Sequence, residues 1–180
     1  MASRPSPKAP QARLLCEQGR WPEVLAFAQR WQAERPDEAR SVFYQGVALA
    51  ALGRFVEAEA AYRRALALDE KDFKTWNNLA ALLFDALNQP GEGAKCLARA
   101  LQIDPRSKLG WTNLASMNGQ FNRHAQALAC ADRALALDPQ FVEALLHRAR
   151  AAQALGRPDI VRAACEALAQ LPPEKFKRAR

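Results

Sequence analysis

The chain has 180 residues, 49% of them hydrophobic and 25% charged, with a formal net charge of +7. One globular domain would fit that length, but no run of about 20 apolar residues is available to cross a bilayer and the opening MASRPSPKAP has no apolar stretch of the secretory kind, so membrane insertion is not expected and a cytoplasmic location is. The charge is concentrated at the ends: Arg4, Lys8 and Arg13 give +3, residues 174–180 give another +3, and about +1 remains for the body, which argues against reading the chain as a nucleic-acid binder from its charge alone.

Residues 1–9 carry Pro5 and Pro7 in a polar, basic setting and are expected to be disordered. Pro10 opens a short helix predicted to reach about Gln18, Gly19-Arg20 make a turn, and a second helix is predicted from Pro22 to about Glu34. This first unit, 10–36, is atypical, with Trp31 where the next three units have Ala. The second, 37–70, turns at Gly53-Arg54 and ends in RALALD from Arg64 to Asp69; Glu70 stands where other units have Pro, so its second helix is predicted to run slightly further. The third, 71–105, is one residue longer, the extra residue lying between Trp76 and Asn88, and its turn contains Pro90, Gly91 and Gly93, so the greatest distortion is expected there. The fourth, 106–139, turns at Asn122-Arg123 and repeats RALALD from Arg133 to Asp138. In the fifth, 140–173, little chain remains for a capping helix before the basic tail 174–180. Apolar surface around Leu168 and Leu171 is therefore expected to be exposed and to favour self-association through the C-terminal repeat.

The five turns, which begin at Gly19, Gly53, Asn88, Asn122 and Gly156, recur at near-equal spacing along the chain. A Gly or Asn at each supplies the left-handed conformation that ends a helix cheaply. Pro36, Pro105, Pro139 and Pro173 stop the second helices, and Asp69, Asp104 and Asp138 are placed to cap the helices that follow. Small residues at Gly46, Ala80, Ala115 and Ala149 would face Ala58, Gly93, Ala127 and the larger Val161, letting paired helices approach closely. No alternating strand pattern occurs, so the fold class is all-α. The four cysteines, Cys16, Cys96, Cys130 and Cys165, are widely spaced without a C-x-x-C pair. They suit neither a zinc site nor a disulfide framework and are expected to be free, mostly buried thiols.

The pattern Trp76-x2-Leu79-Ala80 and Trp111-x2-Leu114-Ala115, then Ala58-x3-Tyr62-x2-Ala65 and Ala127-x3-Ala131-x2-Ala134, in a helix-turn-helix unit of about 34 residues, resembles the tetratricopeptide-repeat family. The resemblance spans about five units and implies a right-handed superhelical solenoid whose work is binding. In that family the first helices line a concave groove. The residues it assigns there are Arg13, Arg40, Phe43, Tyr44, Lys74, Asn77, Asn78, Phe84, Thr112, Asn113, Ser116, His147 and Arg150.

Asn78 and Asn113 share one repeat position, continued by Tyr44 and His147 in the neighbouring units. An amide both donates and accepts, so this pair is expected to grip the backbone of an extended peptide. Phe43, Tyr44 and Phe84 would offer apolar anchors, and Arg13, Arg40, Lys74 and Arg150 would select acidic character. The family's clamp for a C-terminal carboxylate is rejected: each of three registers matches it at one position, Asn78, Asn113 or Lys74. An enzyme is not expected either, because His124 and His147 have no recognisable nucleophile motif and Gly91 and Gly93 lack the Lys and strand of a phosphate loop; no cofactor or metal is expected. The resulting expectation is a protein- or peptide-binding adaptor, scaffold or chaperone-like module. Its alternatives are an RNA-binding helical-repeat solenoid using the basic residues with Phe43 and Tyr44 stacked on bases, or a structural subunit using its convex face or open last repeat.

Overall fold

The computed structural model describes residues 8–176; most of the expected disordered N-terminus and the last four residues of the basic tail lie outside them. Helices follow one another in the order α1 (Ala9–Glu17), α2 (Trp21–Glu34), α3 (Ala39–Ala51), α4 (Phe55–Leu68), α5 (Phe73–Ala81), a π-helical stretch (Leu82–Ala86), α6 (Pro90–Ile103), α7 (Lys108–Gln120), α8 (His124–Leu137), α9 (Val142–Ala154), α10 (Pro158–Ala169) and α11 (Pro173–Phe176). No strand occurs among the described residues, so the fold is all-α. The chain forms two compact units, Met1–Ile103 and Asp104–Arg180. Within each unit, helices that follow one another pack together, and so do the first helices of successive repeats, α1 with α3 and α7 with α9.

The turns from first to second helix share one backbone conformation, and four of the five are closed by the same hydrogen bond. Gly19, Gly53, Asn88, Asn122 and Gly156 all have positive φ, between 51° and 77°, as the sequence spacing anticipates. The residue after each reaches back for an orphan carbonyl: Arg20 N to Leu15 O, Arg54 N to Leu49 O, Arg123 N to Asn118 O and Arg157 N to Ala152 O, all at 2.8–3.1 Å. These are the six-to-one bonds of a Schellman cap. In the third repeat Gln89 N instead reaches Leu83 O, one residue further, at 2.7 Å, and Leu87 N bonds Leu82 O at 3.1 Å. The extra residue is thus absorbed as a π turn inside the helix, so that Asn88 still makes its turn.

The turns between repeats differ from the expectation in two respects. Asp69, Asp104 and Asp138 do not cap the following helices; each carboxylate accepts from the backbone N–H two residues on, Lys71, Arg106 and Gln140, at 3.0–3.1 Å. The caps that do form are Asp72 on α5 and Ser107 on α7. Nor does Glu70 lengthen α4, which ends at Leu68. Its carbonyl accepts from Trp76 Nε1 at 2.8 Å, as the Pro105 carbonyl accepts from Trp111 Nε1 at 2.9 Å. The indole near the head of the next helix therefore secures the turn whether or not a proline is present.

In the first unit the core centres on Trp31, Val42, Leu79, Leu83 and Leu97, all fully buried. Trp31 fills the space that an Ala leaves in other repeats, its ring 6.1 Å from both Phe27 and Tyr44 and its Nε1 donating to Glu38 Oε2 at 2.9 Å. A Cβ on Gly46 would lie 2.6 Å from the Tyr62 ring, and one on Gly93 would lie 3.0 Å from the Ala80 carbonyl, so both glycines are required by close helix contact. In the second unit Leu171 is buried with Val142 and Leu145, and Leu168 packs against them. Of the two residues expected to be exposed there, Leu171 is therefore buried and Leu168 half-buried, packed with Leu135 of α8 and Val142 and Leu145 of α9. The thiols divide: Cys96 and Cys130 are buried, Cys16 is half-buried and Cys165 is exposed.

Trp31→Ala is expected to cost about 3–5 kcal/mol in urea unfolding followed by circular dichroism. Gly46→Ala should destabilise by about 1–3 kcal/mol despite alanine's helix preference. Gly119→Ala, where a Cβ meets nothing within 4 Å, should stabilise by about 0.5–1 kcal/mol; opposite shifts of the melting temperature check the pair.

Candidate functional site

The side chains proposed for binding separate into packed and accessible ones. Phe43 and Tyr44 are buried, 8% and 9% exposed, with ring centres 5.2 Å apart, and Tyr44 also packs on Trp31. Asn77 and Thr112 are 3% exposed, and Thr112 Oγ1 donates to the Lys108 carbonyl at 2.8 Å. These four belong to the packing, contrary to the expectation that they line a groove. A pair such as Asn77 and Asn78 thus straddles the boundary between packed and open faces of one helix. Arg13, Arg40, Lys74 and Arg150 are exposed, while Asn78, Phe84, Asn113, Ser116 and His147 are half-buried.

In the first unit Asn78 hydrogen-bonds the hydroxyl of Tyr62. Together with Ala50, Leu82 and Asp85 they line a wide, open recess of about 260 Å³. Tyr62 was legible from sequence only as the aromatic of the repeat pattern. Its ring packs over Gly46, carrying the hydroxyl to Asn78. Burial pushes the Tyr62 phenol well above the ordinary tyrosine range and pushes Tyr44 up as well. Asp85 brings a carboxylate to the recess that the expected selection for acidic partners did not include.

In the second unit a more enclosed recess of about 230 Å³ lies where α7, α8 and α9 meet, and His147 and Arg150 of α9 line it with Ser116 and Gln120 of α7 and His124 of α8. Ser116 and Arg150 hold the same repeat position in successive units. His124 was passed over because it follows the turn at Asn122-Arg123. It is the first residue of α8, and the reversal of the chain at Asn122 carries it toward His147. Burial, reinforced by the neighbouring Arg150, pushes the His147 imidazole below the ordinary histidine value. Among the described residues no group of three or more His, Cys, Asp or Glu side chains is placed to hold a metal ion, and no helix is long and apolar enough to cross a membrane.

Comparison with known proteins gives matches to family models described as tetratricopeptide repeat at residues 39–72 and 110–141. Protein O-mannosyl-transferase TMTC3 of Homo sapiens is 34% identical over 82 residues, 45% of this chain and 9% of that protein. The peroxisomal targeting signal receptor of Kluyveromyces lactis is 32% identical over 74 residues, 41% of this chain and 13% of the receptor. The chain thus spans a small fraction of these relatives. Among solved structures, pilF of Pseudomonas aeruginosa superposes with a TM-score of 0.82 at 20% identity over 90% of this chain and 73% of that one. A thermophilic TPR protein of Thermus thermophilus superposes at 0.77 and 20% identity, over 96% and 94%. YrrB, described as a TPR protein with an unusual peptide-binding site, superposes at 0.68 and 16% identity, over 88% and 84%. These likenesses place the fold in the all-α repeat-solenoid class.

The two tyrosines supply a pH test. The folded state favours their neutral form, so this contribution to stability is complete below the ordinary phenol pKa of about 10 and is lost as pH rises above it. A plot of denaturation midpoint against pH is expected to fall on the alkaline side, and Tyr62→Phe should make that fall shallower.

Proposed function

Because the chain is a tetratricopeptide-repeat protein, we propose that it is a non-enzymatic protein- or peptide-binding adaptor, scaffold or chaperone-like module that takes an extended segment of its partner on the faces of its first helices. The observation that carries this reading is the register Asn78, Asn113 and His147: one repeat position in three successive units, occupied by polar side chains that stay half-buried where packing would be served by an apolar one. Amides and imidazoles at such a position suit the alternating donors and acceptors of a peptide backbone. Exposed Arg13, Arg40, Lys74 and Arg150 add preference for acidic segments. Support by analogy comes from YrrB, whose description names a peptide-binding site, and from the targeting signal receptor. Four cysteines free of disulfides fit a reducing, cytoplasmic setting.

Affinity capture from a lysate of the source cells, with and without nuclease, tests the reading. Wild type is expected to retain a protein partner whatever the nuclease treatment. Asn78→Ala/Asn113→Ala should retain about tenfold less or lower still while melting within a few degrees of wild type. Release by nuclease would move the assignment to RNA binding, and capture indifferent to both changes would move the site away from the first-helix faces.

A further inference from the structure

We propose that the recess between α7, α8 and α9 is an acid-sensitive switch: protonation of His147 beside Arg150 releases the fifth repeat, α9 and α10, from α7 and α8. The switch is built into the packing of the second unit and does not rest on the peptide-binding reading.

Helix α9 packs on α7, α8 and α10. Where it meets α7 and α8, the recess of about 230 Å³ is lined by Ser116 and Gln120 of α7, His124 of α8, and His147 and Arg150 of α9. Each lining side chain that carries or can take a charge is basic. No Asp or Glu lines the recess, and α10 contributes no residue to it. Arg148 Nε of α9 donates to Asp132 Oδ1 of α8 at 2.8 Å, but neither residue belongs to the lining. A proton taken up by His147 therefore meets Arg150 and no counter-charge, in a partly enclosed space where like charges repel more strongly than in open water.

The start of α8 adds to the same sign. In α2, α4, α6 and α10 the first turn carries an acid, Glu23, Glu57, Glu92 or Asp159. Helix α8 has none and no side-chain cap; Gln126 stands at the place of Glu23, Glu57 and Glu92. The positive end of this helix thus lacks the counter-charge that its equivalents carry, and its first residue, His124, lines the recess.

Packing consequently prefers a neutral ring. Burial first, and Arg150 after it, hold the His147 imidazole below the ordinary histidine value. Once α9 leaves the recess, the ring returns to about 6.5. Above that value the ring is neutral in both forms and pH changes nothing. Below it the detached form takes up the proton more readily, and the equilibrium shifts toward detachment by about tenfold for each unit between the two values. The cluster of Ala127 and Leu128 of α8 with Ala151 and Ile160 of the fifth repeat is apolar and holds at any pH, which leaves His147 to set the pH dependence. Since each repeat is stabilised by its neighbours alone, the first unit stays folded when the fifth repeat opens.

Amide hydrogen exchange of the full chain, corrected for intrinsic rates, tests this between about pH 7.5 and pH 5, with the His147 ring followed by NMR. Over this range the Asp138 carboxyl, held below the ordinary carboxylate range by Lys108, keeps its charge. Protection of α9 and α10 is expected to fall severalfold below about pH 6.5, while α3 and α4 keep theirs. His147→Gln should remove that fall. Arg150→Gln, at an exposed position, should raise the titration of the His147 ring toward the ordinary value and make the fall shallower. Should His147→Gln fail to fold, Arg150→Gln decides, because an unshifted ring titration there overturns the proposal. Constant protection of α9 and α10 in acid, an undiminished fall in folded His147→Gln, an equal fall in α3 and α4, or a His147 ring titrating at or above the ordinary histidine value would each overturn it as well.

Discussion

Everything in this molecule hangs on one backbone conformation, repeated five times. A single residue at positive φ ends each first helix, and the N–H that follows closes the cap. The reversal sets the second helix back along the first. Since a helix pair of this length cannot bury its apolar face alone, the pairs must stack. Fixing the turn at the same place in every repeat therefore fixes which residues face inward. The third repeat shows how strong that constraint is: an inserted residue is taken up as a π turn at Leu82–Ala86, and the left-handed turn at Asn88 survives.

Close packing then decides what remains for chemistry. Where Gly46 lets Tyr62 lie across the helix backbone, the phenol hydroxyl emerges at the far side and meets Asn78. Where Ala115, Ser116 and Gly119 line adjacent turns of α7, the helices leave a hollow, and polar side chains from three helices reach it. Both recesses arise from small residues that bring backbones close in one place and leave space beside it. Groups held in position by such packing lower the ordering cost of any association they enter.

The turns between repeats illustrate a second economy. Three are held by an Asp that accepts from the backbone two residues on, and two of these are also tied by an indole from the next helix. Proline at the stop position is one solution among several, so Glu70 in its place changes nothing in the length of α4. In the last repeat α10 and the segment to Leu171 pack on Val142 and Leu145, so that Leu171 is buried there.

The sequence by itself determined the all-α class, the period, the five turns and the site of the inserted residue. Each is set by local backbone physics: a Gly or Asn able to adopt positive φ, a Pro unable to continue a helix, a small residue where two axes meet. Tertiary packing decided the rest. Neighbours in the chain such as Asn77 and Asn78, or Thr112 and Asn113, have similar chemistry on paper, yet a rotation of about 100° between successive helix positions buries one and leaves the other half-open. Tyr44 fell to the core where Trp31, a substitution peculiar to the first repeat, offered it a partner, and Phe43 where its ring packs on Tyr44 and Tyr62. His124 and His147, far apart along the chain, share one recess only because two packed helices bring them there, and that proximity in space is written in no local pattern.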